Sequence, residues 1–359
     1  MKTKRYLLTV FFLLLIQLIA LTQEINVNPN KQKEKIQNEI ITIEGGTESE
    51  ADDSMRELLS EKFAIISDNT IEEIIATKKI VPIFSSDSTG EKLIFGYNVN
   101  YSVPKNFLID TAKILWVLNI PEFRSHLYQL YNGDTIYIDT WNNVVGKAAT
   151  KTYTGYFEAF RIRNWPSWKD PEKPLSTATP PGPKNPLGLF CVHYDESSLR
   201  YFHGTNKEYL LSTTMRNLSH GCVRNENGNI QKMKEFIIKR VIKSQDLSSW
   251  FGSKRSMTFE FARQDRFPVK IIYKTFSVGK DEDGIYIEKY QDIYGYGYRH
   301  SKDKYNDDGL ITMTTEENVL TEYYLKFGKN IPEDKLRKAI SNIISTGKYY
   351  EKNYINEEF

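Results

Sequence analysis

The chain has 359 residues, 40% hydrophobic, 26% charged and 13% aromatic. That balance excludes wholesale disorder, because enough apolar surface is present to offset ordering entropy. Its 48 Lys plus Arg against 46 Asp plus Glu, a net of +2, gives no basis for a non-specific nucleic-acid binder that works by neutralising many phosphates. The length suits one large domain with extensions, or two domains.

Lys2, Lys4 and Arg5 precede an apolar run from Tyr6 to Leu21, the charged and apolar regions of a secretory signal. Residues 1–22 are read as that signal, or as a short membrane anchor if uncleaved, and an exported protein is expected. Residues 23–50 are polar and rich in Asn, Lys and Glu, which predicts a linker. Residues 51–112 are read as a small, mostly helical region. Asp52, Asp53 and Ser54 are candidate caps for a helix through about Phe63, and Thr70 for a second through Lys79.

From Lys113 the texture changes to short β-branched and aromatic runs with turn residues between them: KILWVLNI, HLYQLYN, then a turn at Asn132-Gly133-Asp134 before TIYIDTW. YFEAFRIRNW, GLFCVHY and LRYFHGT continue that pattern. Seven prolines fall between Pro166 and Pro186, so residues 164–186 are expected to form a long loop outside any sheet. Apolar residues at Ile230, Met233, Phe236, Ile237 and Val241 predict one packed helix face. PVKIIYKTFSV and GIYIEKY return to strands. A helix from Glu333 to Ser345, entered at Pro332, is expected in the tail at residues 301–359. The fold class is therefore mainly β with flanking helices (α+β).

Two cysteines, Cys191 and Cys222, are too few for a disulfide framework or a Cys-rich zinc module. His193, His203, His220 and Cys222 have no recognised zinc spacing, so neither a metal nor an organic cofactor is expected. Cys191, inside an apolar strand, reads as a core residue, and His126 and His193 as structural. Cys222 follows His220 and Gly221 and lies nineteen residues after His203. A cysteine nucleophile needs a base, a group to orient that base and backbone amides for the oxyanion, and this stretch can supply all of them.

The arrangement His203-Gly204-Thr205, thirteen residues, then Ser219-His220-Gly221-Cys222-Val223-Arg224 resembles the L,D-transpeptidase catalytic domain, also called YkuD. Gly146 followed by KAATKTYTGYF, NPLG at Asn185 to Gly188 and DIYGY at Asp292 to Tyr296 are similar to further family motifs. The subfamily suggested is the large one typified by periplasmic enzymes of Gram-negative bacteria. Tyr153 stands where the family usually has proline. The resemblance spans residues 113–300 as the catalytic domain and implies a β-sandwich of mixed sheets.

It also implies that Cys222 attacks the L,D amide of a peptidoglycan tetrapeptide stem, releasing D-Ala. The thioester is then resolved by the side-chain amine of a diamino acid on another stem, giving a 3-3 cross-link in the periplasm or cell envelope. By the same resemblance His203 is the base, oriented by the Gly204 carbonyl, and His220 shapes the site. Gly221 and Cys222 amides are oxyanion donors, Arg224, Ser219 and Thr205 meet substrate, and carbapenems acylate the thiol. The expected partners are stem peptides, with no nucleic acid and no membrane contact beyond the N-terminal signal. Two alternatives stay open: a carboxypeptidase or thiol hydrolase that uses water or acts on a stem-linked envelope protein, and a catalytically silent wall-binding module.

Overall fold

The computed structural model describes residues 36–86, 92–170, 173, 175–198, 200–298, 303 and 305–355. The apolar run at residues 6–21, read as a signal, lies outside them.

Order begins earlier than the composition suggests. Strand β1 (Asn38–Gly45) runs through the stretch read as a linker and pairs antiparallel with the last half of β3 (Lys92–Pro104), whose other edge carries β2 (Lys79–Ser86). Helices α1 (Glu48–Lys62) and α2 (Asp68–Ile75) complete this region, which holds three strands as well as two helices rather than being mostly helical. Thr47 and Glu50 form a reciprocal capping box at α1, and Ser67 caps α2, in both cases upstream of the residues predicted to do so. Met55, Leu59 and Phe63 are fully buried. The Phe63 ring lies 4.8 Å from that of Phe236, so the core of this region is continuous with the core of the central domain.

Strands β4 (Lys113–Asn119), β5 (Arg124–Tyr131) and β6 (Asp134–Gly146) form an antiparallel meander. The β5–β6 turn places Asn132 at φ 51° and Gly133 at φ 82°, the positive values a tight hairpin needs. The chain continues through β7 (Gly155–Ala159), β8 (Arg161–Asn164), β9 (Phe190–His193), β10 (Tyr201–His203), β11 (Asn217–Ser219) and β12 (Val223–Asn225). Helix α3 (Asn227–Phe236) runs on as a π-turn over Ile237–Val241, and β13 (Met257–Glu260) and β14 (Phe267–Lys274) follow. These strands and the two-residue β17 (Ile311–Thr312) make one mixed sheet. Its order is β13-β8-β9-β10-β12-β6-β5-β4-β14-β17, with β11 beside β6 and β7 beside β14. Parallel pairing occurs at β10–β12, β6–β11, β4–β14 and β14–β17. The sheet curls until distant strands face each other: Trp116 of β4 stacks on Phe202 of β10 with centroids 3.9 Å apart. The interior between them is the main core.

A second, smaller core lies toward the C-terminus. The hairpin β15 (Phe276–Asp281) and β16 (Gly284–Lys289) packs with α4 (Glu316–Phe327), α5 (Glu333–Thr346) and β18 (Lys352–Tyr354). Phe276, Val278, Ile287, Leu336 and Ile340 are buried there. The hairpin that the sequence places in the catalytic domain thus shares its core with the tail. Among the described residues no helix is long and apolar enough to cross a membrane.

Candidate active site

Alternation along β10 sends Phe202 into the core and Tyr201 and His203 to the opposite face. Parallel pairing sets His203 beside Arg224 and Phe202 beside Val223, which brings Cys222, just before β12, level with the start of β10. Two segments twenty residues apart are thereby joined at one sheet end.

His203 is 3% exposed, and its Nδ1 donates to the Gly204 carbonyl at 2.5 Å. That bond places the proton of the neutral ring on Nδ1, and the Leu187 backbone is a second hydrogen-bond partner of the imidazole. Burial, helped by the Arg224 charge, lowers the imidazole to a pKa of about 3, so the ring is neutral near pH 7. The Asn185–Gly188 turn covers this end of the strand. Asn185 Nδ2 donates to the Thr179 and Pro180 carbonyls, and its Oδ1 accepts from Leu187 N–H. Gly188, at φ 64°, lies so close that a Cβ there would stand 2.8 Å from Gly204 Cα.

The segment from Ser219 to Cys222 is a tight turn built around the Ser219 hydroxyl, which donates to the Cys222 carbonyl at 2.5 Å and accepts from Gly221 N–H at 3.1 Å. Gly221 sits at φ 109°, and a Cβ there would stand 2.9 Å from Arg200 Nε. From the other side Thr152 Oγ1 donates to the Gly221 carbonyl at 2.9 Å and accepts from Gly146 N–H at 2.9 Å. Tyr294, far along the chain, donates its hydroxyl to the Gly146 carbonyl at 2.7 Å and accepts from Thr152 N–H at 3.1 Å. Cys222 is held in a polar cage whose members come from four parts of the sequence.

Burial raises the Cys222 thiol to a pKa of about 11, while a backbone hydrogen bond from Tyr201 and the charges of Arg200 and Arg224 pull the other way. Near pH 7 Cys222 is therefore a thiol and His203 a neutral imidazole. Cys191 is fully buried, burial holds its thiol well above the ordinary range, and no disulfide joins it to Cys222. His220 is exposed, in contrast to His203. Ser219 and Thr205 are buried and turned to scaffolding. Thr205 Oγ1 accepts from Lys207 N–H, and its backbone N–H and carbonyl are both bonded to Asn227. The Gly221 amide, engaged on Ser219, does not point outward in the way an oxyanion donor would. Arg224 is half-buried on β12. His126 bridges Thr140 and Glu122 through its two ring nitrogens, and His193 is packed between Phe160 and Tyr201.

Sequence reasoning missed Arg200, Thr152 and Tyr294 as parts of this site. Arg200 carries no motif signal, whereas Thr152 and Tyr294 lie inside the two stretches that resemble family motifs.

A family model for the L,D-transpeptidase catalytic domain, YkuD, matches residues 116–242. Over that span, about a third of the chain, the central domain is similar to the YkuD family. The matched span holds His203 and Cys222 but stops short of β14, the strand that pairs with both β4 and β7. The probable L,D-transpeptidase ErfK/SrfK of Salmonella typhimurium is 26% identical over 209 residues, 50% of this chain and 65% of that protein. The probable L,D-transpeptidase YbiS of Escherichia coli is 28% identical over 145 residues, 37% of this chain and 45% of that protein. The chain thus spans less than two thirds of the length of these curated relatives. A solved L,D-transpeptidase 3 from Mycobacterium tuberculosis aligns with 66% of this chain and 92% of its own at 10% identity and a TM-score of 0.30, too low to carry weight. The YkuD assignment rests on the family match and the curated relatives.

Proposed function

We propose that the protein is an L,D-transpeptidase of the cell envelope that acts on peptidoglycan stem peptides, with Cys222 as nucleophile and His203 as general base. The observation that carries this reading is the buried, neutral His203, its Nδ1 bonded to Gly204, on a strand paired in register with the one that Cys222 immediately precedes.

In this mechanism Cys222 Sγ attacks the carbonyl carbon of the L,D amide in a tetrapeptide stem. Its proton passes to His203 Nε2, since Nδ1 is committed to Gly204. The Sγ–C bond forms, the C–N bond breaks, and Nε2 returns the proton to the departing D-Ala amine. A thioester remains. The side-chain amine of a diamino acid on a second stem then attacks the thioester carbon, its proton moves to Nε2, and the thiol is regenerated as the 3-3 link forms. The oxyanion is served by the Cys222 amide, because the Gly221 amide is committed to Ser219. His220 is exposed. The polar Ser219 and Thr205 hold the two loops rather than substrate.

Incubation with purified tetrapeptide muropeptides tests this. Free D-Ala and 3-3 dimers are expected, and Cys222→Ala abolishes both. Tripeptide without dimers would make the protein a hydrolase, and no turnover in the presence of intact thiol would make it a binding module.

A further inference from the structure

Arg200, three residues before His203 and immediately before β10, has a fixed orientation. Its Cζ lies 4.1 Å from the centroid of the Tyr153 ring, its Nε donates to the Lys151 carbonyl at 3.1 Å, and its guanidinium closes on the Gly221 backbone. Tyr153 is itself steadied by Tyr305, 5.2 Å away between centroids. The stack and the Nε bond leave the outer edge of the fork, Nη1 and Nη2, without a hydrogen-bond partner among the described residues. Asp195 is close enough to feel the charge, but its oxygens accept from the Ser197 amide and hydroxyl and from the Ser198 hydroxyl. A permanently charged, pre-oriented fork therefore stands beside the residue that precedes the nucleophile.

We propose that Arg200, aligned on Tyr153, is a positioning residue that grips the free carboxylate on the leaving side of the substrate, and so selects a stem that ends one residue past the attacked amide. The inference rests on the acyl-transfer reading above. In a four-residue stem that carboxylate is separated from the scissile carbonyl only by the amide nitrogen and one Cα. A fifth residue converts it to a neutral amide and removes the charge that a guanidinium fork matches at two points. Arg224, the other cation felt by Cys222, comes from β12. Tyr153, which differs from the proline usual at this place in the family, is what holds Arg200 flat.

Two reagents of the same reactivity type but different charge, iodoacetate and iodoacetamide, read the anion grip without any peptide chemistry. Alkylation of Cys222 in the full chain, followed by mass spectrometry, should favour iodoacetate relative to a free thiol. Arg200→Gln should lose about tenfold of that preference, the loss of one charge-assisted contact. Arg200→Lys should retain part of it, and Tyr153→Leu, which keeps the charge but removes the plate, should show a smaller fall. With stem peptides the same Gln variant should lower the tetrapeptide-over-pentapeptide ratio of kcat/KM by about tenfold, mainly through KM. An iodoacetate preference unchanged in both Arg200→Gln and Tyr153→Leu overturns the assignment. A preference that depends on Arg200, with no stem-peptide turnover in the wild type, instead overturns the acyl-transfer reading and leaves an anion site beside the thiol.

Discussion

Cys222 keeps its proton on sulfur near pH 7 while His203 stays neutral. Burial moves the two groups in opposite directions, the thiol up to about 11 and the imidazole down to about 3, and the neighbouring arginines do not reverse either shift. A preformed thiolate–imidazolium pair would instead react at a constant rate over several pH units. Iodoacetamide labelling of Cys222 should therefore climb about tenfold per pH unit between pH 7 and 9, with no plateau on the acid side, because only the thiolate fraction reacts. A plateau below pH 7 would sink this picture and place the resting charge on the ion pair. Cys191, enclosed in β9, should stay unlabelled throughout. At this scale the sequence was informative wherever the chemistry is local: His203, Gly204, Gly221 and Cys222 all fall in one stretch of about twenty residues. Arg200 lies close by, yet nothing in its neighbours marks it, since its placement against Gly221 and Tyr153 comes from tertiary packing.

Elements hold the Cys222 turn through long-range hydrogen bonds rather than through the turn alone. Tyr294, beyond the β15–β16 hairpin, reaches the β6–β7 connection and ties Gly146 to Thr152, which in turn holds the Gly221 carbonyl. Tyr294→Phe leaves two buried backbone groups with one partner fewer, so a loss of about 1–3 kcal/mol is expected, read as a lower urea midpoint. The loss should be accompanied by reduced labelling selectivity and lower turnover at Cys222, because the same chain of bonds supports the thiol. A stability loss with turnover unchanged would show that the cage is structural only. Strands with alternating or aromatic texture, β4 to β6 and β14 to β16, were legible because a buried face imposes a period of two. Strand β1 was not: its Asn, Glu and Thr residues suggest solvent, and only its pairing with β3 makes it a strand. Helix α5 was readable from Pro332 and its apolar spacing, whereas α4 was hidden behind a first turn of Glu316 and Glu317 that reads as surface.

Across the whole molecule, two buried histidines on one sheet face couple folding to pH. His193 on β9 is 4% exposed, its Nε2 has no hydrogen-bond partner among the described residues, and burial with the nearby Arg163 and Arg161 charges lowers it to a pKa of about 3. His203 on the adjacent strand is lowered to the same value. An unfolded chain protonates both rings near pH 6.5, while the folded protein keeps them neutral down to about pH 3. Between those limits the unfolded state binds more protons, so stability is fully present above about pH 6.5 and falls as the pH drops through the window. At pH 5 each ring should cost about 2 kcal/mol relative to pH 7. Glu122, held down to about 2 in spite of burial by His126 and Arg124, has the same sign but acts only below its unfolded value near 4.5, outside this range. Urea midpoints should therefore fall steadily from pH 7 to pH 5. His193→Phe, which fills the space between Phe160 and Tyr201 without a titratable nitrogen, should remove roughly half of that slope and raise the midpoint at pH 5. Parallel slopes for the wild type and the variant would mean that His193 does not titrate on unfolding, and that the acid sensitivity of the fold lies elsewhere than on the face that carries the site.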